Sequence, residues 1–144
     1  MSVPAPAYSL ADVTVRLGER DVLSHVTADY AAGRVHVVRG ASGAGKTTLL
    51  RLLMGLVEPA SGSVARPEGA RLAAAFQEDR LLDRLDAEGN LRFVLGRGFD
   101  PAKAAELLAE LGLDGAAGKP AGEYSGGMRR RLALARALSV PFDF

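Results

Sequence analysis

Gly40-Ala41-Ser42-Gly43-Ala44-Gly45-Lys46-Thr47 has the spacing G-x-x-x-x-G-K-T of a phosphate-binding loop and stands between a valine-rich and a leucine-rich run. Val35, Val37 and Val38 predict a buried strand entering the loop. Thr48 to Met54, with Leu49, Leu50, Leu52 and Leu53, predict the helix leaving it. That strand-loop-helix context is what the motif requires. Its glycines let the backbone curl until successive N–H groups face phosphate oxygens, and the helix behind them adds the positive end of its dipole. Lys46 supplies a mobile ammonium to the β- and γ-phosphates, and the Thr47 hydroxyl is placed to complete the shell of a phosphate-bound Mg²⁺. Binding of a nucleoside triphosphate is the first expectation.

With 144 residues the chain can hold one core. A net charge of +1 with 24% charged residues gives no global basic field, so nucleic acid is not an expected partner. Without cysteine there is no disulfide framework and no thiolate metal site, which is compatible with a reducing cytoplasm. The opening Met1-Ser2-Val3-Pro4-Ala5-Pro6-Ala7 lacks a basic stretch and carries two prolines, so it does not read as a signal peptide. No apolar run approaches the roughly 18 residues of a membrane span.

Val13, Val15 and Leu17 alternate with Asp12, Thr14 and Arg16, and Gly18-Glu19-Arg20-Asp21 makes a polar turn, together predicting a hairpin. Its second strand reads with Val22, Ser24, Val26, Ala28 and Tyr30 on one face. Gly55 is placed to cap the loop helix, a short strand follows Gly62, and Leu72 to Phe76 reads as another strand ending at Gln77. Asp100-Pro101 opens a helix with stripe Leu107, Leu108 and Leu111, ended by Gly112; residues 112–122 form a connector. Ser125-Gly126-Gly127 precedes a further helix bearing Leu132, Leu134, Ala135 and Leu138. Ser125 is its expected N-cap, and the helix start is an ordinary capped terminus or a second anion site.

The phosphate loop, the glutamine closing an apolar run and the Ser-Gly-Gly before a basic and apolar helix together resemble the nucleotide-binding subunit of ATP-binding cassette (ABC) transporters. The resemblance covers nearly the whole chain: Gly40 to Thr48, Gly55-Leu56 to Ser61-Gly62, Phe76-Gln77-Glu78, and Ser125 to Arg129 with Leu132 to Leu138. It implies an α/β P-loop fold of the ABC type, with an N-terminal antiparallel hairpin, a β-rich phosphate-loop core over about residues 1–80 and a helical signature subdomain over about 81–138. It implies ATP and Mg²⁺ as cofactors, with Gly40, Ala41, Ser42, Gly43, Ala44, Gly45, Lys46, Thr47 and Thr48 around the phosphates. Gln77 takes the switch glutamine's place at Mg²⁺ and the attacking water, with Lys46 its catalytic companion. Ser125, Gly126 and Gly127 would hold the γ-phosphate bound to an opposite subunit, so a working site needs a second cassette, identical or different. Further implied partners are a transmembrane permease, received in a groove that includes Asn90-Leu91 and the segment from Leu81 to Phe93, and a solute-binding protein. The implied setting is the cytoplasmic face of the membrane, and the loop after Phe76 looks most like that of importers of small solutes such as sulfonates or nitrate.

Some positions depart from the family pattern. Leu17 stands where an aromatic ring usually stacks on adenine, Tyr124 where leucine is usual, and Arg39 where an apolar residue is commoner. The chain stops at Val140-Pro141-Phe142-Asp143-Phe144, where the family begins the strand bearing its Mg²⁺-linked aspartate and adjacent catalytic glutamate. The expectation is thus an N-terminal portion of an ATPase subunit that drives transport; the alternative is a non-hydrolysing nucleotide-binding fragment or regulator. Glu78, Asp79 and Asp143 read as solvated charges rather than substitute bases, His25 and His36 as strand histidines rather than metal ligands, and Arg129 to Arg131 as a solvated helix face.

Overall fold

The computed structural model describes residues 6–116 and 118–143, with side chains from Tyr8 onward. Most of the leading segment, position 117 of the connector and position 144 lie outside the described residues. The chain folds as two compact units, Met1–Ala70 and Arg71–Phe144, each with its own buried cluster in place of the single core expected.

The first unit is a three-stranded sheet with one helix. Strands β1 (Pro6–Leu17), β2 (Arg20–Ala31) and β3 (Ser61–Ala65) lie in the order β2-β1-β3, both pairings antiparallel. The expected hairpin is present, with Leu17 opposite Arg20 across a two-residue turn and the Arg16–Asp21 ion pair beside it.

Two of its four register shifts, both bulges, rework the side-chain phase, and a third, between Val15 and Arg16, leaves Val22 without a pairing partner. Leu10 pairs with Ala28 and Val13 with Val26, so Ala11 and Asp12 share one partner, Thr27. Val15 pairs with Leu23, so Ser24 and His25 share Thr14. Asp12 and His25 each take φ 51°, and their freed amides donate to the hydroxyls of Thr27 (3.1 Å) and Thr14 (3.3 Å). Each extra residue flips the alternation. Leu10, Val13 and Val15 therefore all reach the core, and Leu23 is buried in place of the expected Val22.

Helix α1 (Lys46–Leu53) starts two residues before the predicted Thr48 and packs Leu49, Leu52 and Leu53 on that core. It ends as a Schellman motif: Leu56 N–H donates to Arg51 O at 2.8 Å and Gly55 N–H to Leu52 O at 3.0 Å.

Two predicted strands do not form. Residues 34–40 are irregular, with Val35 94% and Val37 70% exposed, and residues 72–76 are irregular as well. A continuous apolar run becomes a buried strand only with pairing on its edges and cover on both faces. Among the described residues no strand pairs with either run, and His36 accordingly does not lie in a strand.

The second unit gathers α2 (Ala87–Leu95), α3 (Pro101–Glu110) and α4 (Gly126–Ser139) around Leu91, Leu108, Leu113, Tyr124, Leu132 and Ala135. Asp100 caps α3 as expected, accepting from Ala102 N–H (3.0 Å) and Lys103 N–H (3.3 Å). Leu113 N–H closes α3 on Leu108 O at 2.8 Å, and both side chains are buried. On α4 the buried face is Leu132, Ala133 and Ala135, whereas the predicted Leu134 and Leu138 are exposed: α2 and α3 cover only one side of the helix. Tyr124 fills a core position that leucine would fill and donates its hydroxyl to Ala116 O at 3.2 Å. Burial raises its phenol pKa. Among the described residues no helix is long and apolar enough to cross a membrane.

Candidate functional site

The phosphate loop lies in the first unit between the irregular segment 34–40 and α1. Gly45 forms the N-terminal boundary of α1 at φ 84°, a conformation that disfavours side chains, and a Cβ there would come within 2.8 Å of Val22 O and Leu23 Cδ2. The glycine lets the loop lie directly on the edge of β2. No side chain caps α1, so its first amides keep the donor capacity that suits an anion. Lys46 Nζ folds back over the loop and donates to Gly40 O (2.8 Å) and Ala41 O (2.7 Å), which holds the ammonium at the loop's first residues. Ala44 N–H donates to Ala41 O at 3.2 Å and tightens the turn. Ser42 and Thr47 are exposed, the Thr47 hydroxyl one residue beyond the lysine, while Thr48 is on the buried face of α1. Donors, a cation and an exposed hydroxyl at one helix start fit a polyphosphate with a magnesium ion. Leu17, expected beside an adenine, is half exposed at the hairpin end.

The remaining predicted site residues belong to the second unit. Gln77 is exposed in the segment after Phe76. Ser125 accepts from Met128 N–H at 3.3 Å and so caps α4 as predicted; Gly126 and Gly127 are exposed at that start. Arg130 joins these two places, its Nη1 donating to the carbonyls of Phe76 and Gln77.

The expected solvated arginine face is only partly so. The Arg129 side chain is 23% exposed and forms a two-pronged pair with Asp79. That pair lowers the Asp79 pKa below its ordinary value. Asp143 is gripped by the side chain and amide of Arg71, which pull its pKa down to about 2. Carboxylates held in this way are poor proton acceptors at neutral pH, so neither suits a general base. Glu78 is exposed, 3.8 Å from Arg80. His25 lies 2.8 Å from Asp12, and His36 edges onto the Tyr30 ring. Among the described residues no three His, Cys, Asp or Glu side chains gather as a metal site.

Sequence reading did not find the structural role of Asn90. The resemblance placed Asn90-Leu91 in a docking groove, but both are fully buried, and the side chain of Asn90 pins the segment 82–86. Phe93, 69% exposed, and Leu85 are the exposed large apolar residues of the segment 81–93. The missed signal was a polar residue inside an apolar helix face.

Comparison with known proteins shows the family. A family model described as ABC transporter matches residues 23–143. The chain is 42% identical over 142 residues to the Aliphatic sulfonates import ATP-binding protein SsuB 1 of Burkholderia cenocepacia (strain HI2424), covering 95% of this chain and 44% of that protein. It is 40% identical over 130 residues to the Taurine import ATP-binding protein TauB of Sinorhizobium fredii, covering 83% and 49%. The chain thus spans about half the length of the curated relatives it matches. A solved structure titled "Structure of ATP binding subunit of ABC transporter" superposes with a TM-score of 0.77 at 22% identity, over 92% of this chain and 62% of the other.

Proposed function

Because the chain belongs to the ABC transporter family, we propose that it binds Mg·ATP at Gly40 to Thr48 and serves the ATP-driven import of a small solute, in the manner that the names of its relatives describe. The observation that carries the reading is the phosphate loop itself, with Lys46 Nζ held at its first residues and the start of α1 uncapped.

In this reading Lys46 would neutralise the β- and γ-phosphates and the Thr47 hydroxyl would hold Mg²⁺. The resemblance gives Gln77 the part of a further group that would serve the metal and the attacking water. Ser125, Gly126 and Gly127 present a helix start to the γ-phosphate held by a second cassette. The first unit is the ATP-binding core and the second the signature subdomain. A transmembrane permease supplies the membrane span and a solute-binding protein delivers the cargo, so the cassette works peripherally at the cytoplasmic face. The sulfonate and taurine importers among the relatives support small sulfonates as the class of cargo.

The test is competition of unlabelled ATP against a fluorescent ATP analogue, with and without Mg²⁺. Thr47→Ala is expected to leave metal-free binding unchanged and to weaken the Mg²⁺-dependent part about tenfold, the size of one lost contact to a charged centre. Identical Mg²⁺ dependence in both proteins would remove Thr47 from the metal.

A further inference from the structure

Three arginines of α4 are spent on one loop. Arg129 Nε and Nη2 donate to the two oxygens of Asp79 (2.7 and 2.9 Å), and its Nη1 donates to Asp83 Oδ1 (2.8 Å) and Ala121 O (2.9 Å). Arg130 holds the carbonyls of Phe76 and Gln77, and Arg136 those of Asp79 and Arg80. The same loop is tied from behind, where Gly122 N–H donates to Asp83 O (2.9 Å) and Ala121 N–H to Leu85 O (2.8 Å). The backbone amide of Arg129 donates to Ser125 O at 2.9 Å, so this residue is bonded at once to the helix start and to the loop.

We infer that Arg129 is a positioning residue that locks the segment 77–83, which carries Gln77, onto the first turn of α4, which carries Ser125, Gly126 and Gly127, so that these parts of the second unit move as one body. The chemistry demands arginine. Three acceptors on two carboxylates and a carbonyl on a third side match the planar fork of a guanidinium, while an ammonium is a point charge that reaches one or two of them. Arg129 is also the most enclosed cation of the Arg129–Arg131 run. The lock stands on this geometry alone; its consequence for turnover rests on the proposed function, since only there do Gln77 and the Ser-Gly-Gly turn face nucleotide.

Hydrogen exchange read by mass spectrometry on the full chain tests it. In Arg129→Gln and Arg129→Lys, peptides covering 77–83 are expected to exchange about tenfold faster, while those of α3 keep their rates. Asp79→Asn combined with Arg129→Gln should add little to either alone, because both break one bond pair. If Arg129→Gln fails to fold, Arg129→Lys and Asp83→Asn carry the same comparison. Unchanged exchange at 77–83, full rescue by lysine, or equal acceleration through α3 would each overturn the lock. Titration with Mg·ATP separates the two readings: wild-type protein that does not bind overturns the function while leaving the exchange result intact, and binding with unmoved exchange overturns the lock alone.

Discussion

Asn90→Leu is expected to lower the unfolding free energy by about 2–4 kcal/mol, although leucine has the same branched side-chain skeleton and suits a helix. The fully buried Asn90 side chain accepts from Leu82 N–H at 2.9 Å and donates to Leu82 O (3.1 Å), Leu85 O (3.3 Å) and Asp86 O (2.9 Å). Leucine leaves Leu82 N–H without its acceptor, whereas the three carbonyls each keep one backbone donor, the amides of Leu85, Ala121 and position 90 itself. The cost is therefore the desolvation of an unpaired amide, together with the crowding of a larger side chain in a packed core. Among the described residues no buried side-chain nitrogen or oxygen lacks a partner. Urea unfolding followed by helical circular dichroism measures the effect. A loss under about 1 kcal/mol would mean that the segment 82–86 is held by other contacts.

Gly62→Ala is the corresponding lesion in the first unit, with an expected loss of about 2–4 kcal/mol. Gly62 takes φ 83° beside the Asp12 bulge, where a Cβ would lie 2.3 Å from Asp12 O and 2.6 Å from Ala11 O. Both atoms are backbone, so no rotamer change relieves the overlap and β3 must withdraw from β1. For a unit of this size each kcal/mol lowers the melting temperature by about 4–8 °C, so a fall of more than about 10 °C is expected in a thermal scan. A melting temperature within about 2 °C of wild type would show that β3 is not held against the bulge.

What was legible in the sequence is what short-range chemistry decides. The Asp100 and Ser125 caps act over a few residues and stand where they were read, and the polar turn at Gly18-Glu19-Arg20-Asp21 does so in its first half, Arg20 and Asp21 belonging to β2. The bulges were not legible, because a slip of one residue is fixed by the cross-strand hydroxyls of Thr14 and Thr27 rather than by either strand's own pattern. Helix α2 was missed although its cap, Asp86, accepts from Gly89 N–H at 2.8 Å; the sign was one acid in an already acidic loop. The runs 35–38 and 72–76 have strand composition, but composition supplies neither a neighbour to pair with nor a face to lie on. Arg129 read as solvated because its acceptors, Asp79 and Asp83, precede it by 50 and 46 residues. Charge partners so remote are set by the tertiary fold, so a basic run alone cannot reveal them.

The phosphate loop remains the point on which the functional reading depends. Calorimetric titration of wild-type protein and Lys46→Ala with Mg·ATP addresses it. Lys46 Nζ is the loop's own cation, resting on Gly40 O and Ala41 O, and its removal leaves polyphosphate with backbone donors alone. The predicted result is saturable binding to wild type, with affinity for Lys46→Ala weaker by about one to two decades, or roughly 1.5–3 kcal/mol. Equal affinity in the two proteins, or no binding to wild type, would contradict the assignment of Gly40 to Thr47 as the ATP site.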